Sequence, residues 1–172
     1  MNQAKMKESP GAKLEAPRFE NGKSLLIAGL RTTYTAQTMN NISAQWQRFV
    51  PHIGKIPGQV GSKAYGLVFG APNSVGIDYL TGVEVSSSSA GLPREFSVVS
   101  IPAQKYAVFA HREHVSKLRD AIDAIWHKWL PNSGHQAARG SAEGPGFFER
   151  YTEEFNPQTG MGGIKVWIPI QA

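Results

Sequence analysis

A chain of 172 residues with 41% hydrophobic and 18% charged side chains has the length and composition of one ordinary globular domain, long enough to bury roughly 70% of its unfolded surface. It contains no cysteine, which excludes disulfides, thiolate chemistry and cysteine-ligated metal. The longest apolar run, near Leu25 to Leu30, is too short to span a bilayer, and the first residues lack the apolar stretch of a secretory signal, so a cytoplasmic protein with no membrane contact is expected. The net charge of +5 raises the question of nucleic acid, but the 18 basic residues are scattered, and no direct nucleic-acid contact is expected.

In chain order, residues 1–17 are expected to be a disordered leader and residues 18–172 a single domain. Phe19 to Tyr34, with the apolar core SLLIAGL, predicts one long strand. Thr35 is placed to cap a helix. Met39, Ile42, Trp46, Phe49 and Ile53 recur at spacings of three and four and so share one helical face, which Pro51 and Gly54 are expected to end. After a Gly- and Pro-rich loop, Lys63 to Phe69 alternates as a half-buried strand does, Ala71-Pro72-Asn73 makes a turn, and Ile77 to Val85 returns. This is a first module of about residues 18–85. A serine-rich linker, residues 86–95, follows.

A second module of about residues 96–170 repeats the order. Phe96 to Ile101 runs into Pro102, and a strand is predicted from Lys105 to Arg112. Val115, Leu118, Ile122, Ile125 and Trp129 form a helical face that Pro131 is expected to stop. A loop over Asn132 to Gly146 leads to a hairpin pairing Phe147–Phe155 with Ile164–Ile170. The repetition is visible in the letters: Trp46-x-x-Phe49-x-Pro51 and Trp126-x-x-Trp129-x-Pro131 stand eighty residues apart, and the same offset matches Ile42 with Ile122, Leu26 with Tyr106 and Ile27 with Ala107. Two strand-helix-strand-strand modules predict an α+β fold, one antiparallel sheet with both main helices on one face. A ligand groove is expected between the modules, or on the sheet face left bare.

The stretches IDYLTGVEV, SIPAQKYAVFAHREHVSKLRDAIDAIWHKWLP and FFERYTEEFNPQTGMGGIKVWIPI resemble the gyrase-inhibitor-like small-molecule-binding domain, also called the effector-binding domain. The resemblance covers about residues 18 to 170. In multidomain relatives the domain follows an AraC-type or MerR-type DNA-binding region, which is missing from this sequence. The resemblance implies two pseudo-symmetric modules and a pocket at their interface for hydrophobic, often cationic, aromatic compounds. It also implies a glutamate in a Glu-x-Tyr setting on the first strand of the last hairpin, where Glu149-Arg150-Tyr151 stands.

Strand alternation puts Phe147, Glu149 and Tyr151 on one face, a carboxylate between two rings. Desolvating a carboxylate there is costly unless it is paired, and an organic cation would supply the partner while the rings add about 0.5 to 2 kcal/mol of cation–π attraction. Tyr65 holds the matching strand of the other hairpin and is expected at the same seam. Trp126, beside the apolar helical stripe, and Tyr106 complete the candidate ligand set, although tryptophans and tyrosines such as Tyr79, Trp129 and Trp167 are ordinarily core residues. His111 and His114, with Glu113 between them, straddle a strand end and a helix start, and no third ligand is in view, so no metal and no cofactor is expected.

Three functions remain open at this stage. One is a stand-alone protein that captures amphipathic or cationic small molecules, alone or as regulatory partner of a separate DNA-binding protein. Another is a hydrolase that opens cyclopropane rings of DNA-alkylating natural products with Glu149 as acid and base, a reaction the resemblance suggests. The third is modulation of gyrase by protein contact. Edge strands of an open sheet could also pair two copies into a homodimer.

Overall fold

The computed structural model describes residues 14–70, 76–87, 91–138 and 144–171. The expected turn at Ala71-Pro72-Asn73 and all but the end of the leader lie outside these residues. Leu14 packs against the apolar cluster beneath the second helix, and Glu15 pairs with Arg112.

Eight strands form one antiparallel sheet: β1 (Arg18–Gly22), β2 (Leu25–Tyr34), β3 (Gln59–Gly70), β4 (Ile77–Val85), β5 (Ser97–Ile101), β6 (Gln104–His111), β7 (Phe147–Tyr151) and β8 (Ile164–Pro169). Their order across the sheet is β1-β6-β8-β7-β3-β4-β2-β5. Two like halves therefore meet where β3 pairs with β7, and a pseudo-twofold axis runs through that seam. Each half carries one helix after its first long strand, α1 (Ile42–Phe49) in one and α2 (Leu118–Ala124) in the other. This is the α+β architecture the letters predicted.

The outermost strands are exchanged between halves. The stretch read as one strand from Phe19 to Tyr34 breaks at Lys23 and Ser24, so that β1 pairs with β6 while β2 pairs with β4 and β5. Likewise β5, which precedes β6 in the chain, completes the first half. Only Pro102 and Ala103 separate β5, at one edge, from β6, beside the other edge, and two such residues reach about 11 Å between flanking Cα atoms. Both edges must therefore curl toward each other. The face opposite the helices is not bare, as expected from sequence, but a concave surface closed over one cluster: Ile27, Tyr65, Leu67, Phe69, Leu80, Val99, Ile101, Tyr106, Val108, Phe148 and Trp167, each at most 7% exposed.

On the helix face the two halves keep separate cores. Ala28, Val83 and Val85 pack under Phe49 and Trp46, and Ala107, Phe109, Val166 and Ile168 under Leu118 and Ile125. The helical part of the repeat holds at an offset of eighty, since Gln45 and Ile125 are both fully buried. The strand part does not: Ile27 faces the concave side and Ala107 the helix side. A shift of one residue turns a strand residue to the other face, so the equivalent of Ala107 is Ala28, 79 positions earlier.

Local chemistry departs from the sequence reading in two more places. Thr35 does not cap α1: its carbonyl accepts from the Thr38 N–H in a turn that leads into a 3-10 segment, Met39–Asn41. Pro131 does not stop the second helix either. A π-helical turn, Ile125–Trp129, precedes it, and the helix continues as α3 (Leu130–Ser133) to Gly134 at φ 81°. A widened turn leaves slack before proline, whose ring and missing N–H an unbroken α-helix resists. His114 does begin the helical segment, its Nδ1 accepting from the Ser116 N–H at 3.0 Å.

Candidate functional site

Glu149 sits at the centre of the seam. It lies directly opposite Gly66 across the β3–β7 ladder, on the helix face, and is 7% exposed. α1 rests on β2 and β4, and α2 on β6 and β8, so the two seam strands lie between the helices rather than beneath one of them.

Two phenols hold the carboxylate. Tyr79 on β4 donates its hydroxyl to Glu149 Oε1 at 2.8 Å, and Tyr151 donates to the same oxygen at 2.9 Å. Trp46 on α1 donates its Nε1–H to the Tyr79 hydroxyl at 3.0 Å, so helix, strand and carboxylate form one chain of hydrogen bonds. No described residue donates to Oε2, and no lysine, arginine or histidine among the described residues forms an ion pair with Glu149. Burial pushes its pKa up, and the two tyrosine hydroxyls oppose that shift. Burial and the neighbouring carboxylate hold both tyrosines well above their ordinary value, so they remain protonated donors.

Rings line the rest of the furrow. Trp46 meets Tyr151 edge-on at 5.2 Å and Tyr79 at 6.5 Å, while Tyr151 meets Phe155 at 5.2 Å. From the other side Trp126, in the π-helical turn, lies 5.9 Å from Phe147. Trp46, Trp126, Phe147, Tyr151 and Phe155 are all half-buried, so each keeps part of its surface open, whereas the carboxylate itself is enclosed.

Of the residues singled out from sequence, the structure brings together Glu149, Tyr151, Phe147 and Trp126. It does not bring Tyr65 or Tyr106 to them. Tyr65 pairs across the seam with Arg150, not Glu149, and both tyrosines point into the concave core on the opposite face of the sheet. Symmetry of sequence located Tyr65 on the right strand but not on the right side of it. Among the described residues no cluster of His, Asp and Glu could hold a metal ion, and the His111 ring is turned instead to the His114 carbonyl at 2.9 Å.

Sequence reasoning missed three participants. Trp46 and Tyr79 read as core residues, and only cross-strand register shows Tyr79 reaching Glu149. Gly66 left a usable signal, a glycine inside a strand, which marks close approach. A Cβ there would lie 2.1 Å from the Tyr79 hydroxyl and 2.9 Å from Glu149 Oε1. The axis of the fold thus carries a glycine from one half and a glutamate from the other, and the empty side of one makes room for the hydrogen bonds of the other.

With this geometry in view, comparison with known proteins is decisive. Residues 15–171 match the family described as GyrI-like small molecule binding domain. The chain belongs to that family. This GyrI-like domain is 29% identical over 133 residues to the transcriptional regulator BrlR of Pseudomonas aeruginosa, a match covering 76% of this chain and 47% of the regulator. The chain thus spans about half the length of that relative. Among solved structures it is similar to SAV2435 bound to tetraphenylphosphonium, with TM-score 0.70, 20% identity and coverage of 92% and 95% of the two chains. It is similar also to EcmrR in complex with DNA, with TM-score 0.64, 13% identity and coverage of 98% of this chain and 61% of the other. At these identities the solved structures speak for the fold. No helix of the described residues is long and apolar enough to cross a membrane.

Proposed function

We propose that this GyrI-like domain binds hydrophobic, aromatic cations in the furrow between its helices, with Glu149 as the counter-charge. A single observation carries the reading: a carboxylate at 7% exposure, held by two phenols and faced by half-buried rings, with no cationic partner among the described residues. Such a group is costly to keep charged, and a delocalised cation relieves that cost without bringing a tightly held hydration shell. The five half-buried aromatics add face and edge contacts suited to flat or propeller-shaped apolar groups. That SAV2435, of the same fold, is bound to tetraphenylphosphonium supports the choice of probe.

Titration with tetraphenylphosphonium, followed by tryptophan emission or calorimetry, tests the reading. Glu149→Gln keeps the shape and removes the charge, and affinity is expected to fall about thirtyfold or more, since breaking one side of a buried pair costs at least about 2 kcal/mol. Full affinity in that variant would refute the charge-pairing role. The likeness to BrlR supports a second level of the same reading, in which the bound domain serves as the sensing half of a transcriptional response.

A further inference from the structure

The neighbours of Glu149 along β7 and β8 build a second charged site on the other side of the sheet. Arg150 points to the concave face, directly across the ladder from Lys165 and from Tyr65. Like charges placed opposite one another on a sheet repel, so an Arg–Lys pair calls for something between them. No ion pair among the described residues involves either side chain, and the Tyr65 hydroxyl that faces the Arg150 guanidinium accepts a hydrogen bond from it but carries no charge to neutralise it. Glu84, which faces the same side near Tyr65, is drawn to Lys23 at 3.6 Å.

Two further donors stand unsatisfied in the same place. The Arg150 guanidinium lies 4.6 Å from the Trp167 ring centre, and Arg150 Nε and Trp167 Nε1 are both buried without a hydrogen-bond acceptor. Trp167 is only 7% exposed. Buried N–H groups without acceptors are rare in native structures and cost stability, which makes two within one stacked pair a sign of an absent acceptor. Arg150 and Lys165 are half-buried and lie one residue pair from the end of the β7–β8 ladder, so the place is open from its rim.

We propose that Arg150, Lys165 and Trp167 bind a small oxyanion, a carboxylate or phosphate group, on the concave face. The planar guanidinium and the indole N–H supply directed hydrogen bonds, and Lys165 supplies charge from the rim. This site is back to back with the Glu149 furrow, one residue away in sequence and of opposite sign. It stands independently of what the furrow binds.

The Trp167 indole N–H resonance in a nitrogen-15 labelled sample, assigned with Trp167→Phe, reads the site directly. Titration with sodium benzoate, sodium acetate and sodium phosphate, against sodium chloride at equal ionic strength, is expected to move that resonance saturably with at least one oxyanion and not with chloride. The arm that saturates at lowest concentration distinguishes carboxylate from phosphate. Lys165→Gln should weaken binding about fivefold or more while leaving tetraphenylphosphonium affinity within about twofold. Arg150→Lys keeps the charge but not the fork, and should also weaken it. No movement, a shift linear in concentration, or equal titration in Lys165→Gln would overturn the proposal.

Discussion

Gly66→Ala places one methyl group on the axis of the molecule, where the added Cβ would be 2.1 Å from the Tyr79 hydroxyl, 2.8 Å from its ring carbon and 2.9 Å from Glu149 Oε1. Relief requires the Tyr79 ring to move by more than an ångström, roughly the gap to ordinary contact near 3.5 Å. That displacement breaks both hydrogen bonds of its hydroxyl, at 2.8 Å to Glu149 and 3.0 Å from Trp46. A buried bond to a charged group contributes about 1.5 to 3 kcal/mol and a neutral one about 1. Alanine returns about 0.5 to 1 kcal/mol of backbone entropy. The net loss is about 1.5 to 3.5 kcal/mol, or roughly 3 to 14 °C for a chain of this size. Urea unfolding followed by tryptophan emission measures it, and a double-mutant cycle with Tyr79→Phe isolates the cause. Because the phenylalanine has already lost both bonds and the clashing oxygen, Gly66→Ala should cost at least about 2 kcal/mol less in that background. Additive effects, or a Gly66→Ala protein as stable as the parent, would refute this account of the seam.

The Glu149→Gln variant should move stability and binding in opposite directions. Because burial raises the pKa of Glu149 in the folded protein above its ordinary 4.5, its stabilising contribution is complete below that value and is lost as pH rises through the raised one. The unliganded variant is therefore expected to be more stable than the parent at neutral pH, by about 1.4 kcal/mol for each pKa unit, and less pH-dependent; denaturation at several pH values shows whether the curves diverge in this way. Gln45→Leu removes an amide that accepts from the Tyr34 hydroxyl at 2.6 Å and donates to the Leu30 and Tyr79 carbonyls at 2.8 and 3.1 Å. Although Ile125 fills the equivalent place in the other half, the stranded groups should cost about 2 to 4 kcal/mol, read as a lower urea midpoint. Trp46→Phe keeps a ring beside Tyr151 but loses the bond to Tyr79. It should weaken tetraphenylphosphonium severalfold, by about 1 kcal/mol, and calorimetry giving parental affinity would separate Trp46 from the site.

Much of the plan is present in the order of the amino acids. Helical spacing at Trp46, Phe49, Leu118 and Ile125 commits those faces to a core whatever lies opposite, and the duplicated Trp-to-Pro motif reports two equivalent helices on one side of a sheet. Strand alternation alone puts Phe147, Glu149 and Tyr151 on a common face. These are local rules, decided within one element. Pairing is different, because a strand does not encode its neighbour: nothing in Phe19 to Tyr34 states that β1 leaves for the far half, or that Ile27 matches Tyr106 rather than Ala107. The partners of Glu149 depend on this. Tyr79 lies seventy residues earlier and two strands away, and it reaches the carboxylate only because β3, between them, offers a glycine. Tyr65 and Tyr106, both aromatic and both on suitable strands, were sent to the concave core by register, which set Tyr65 opposite Arg150 and Tyr106 opposite Pro169. The sequence by itself determined a doubled α+β unit with an acidic residue between rings. Only the folded sheet decided which rings, because facing across a ladder is set by long-range pairing and by the curl that two short connections impose on eight strands.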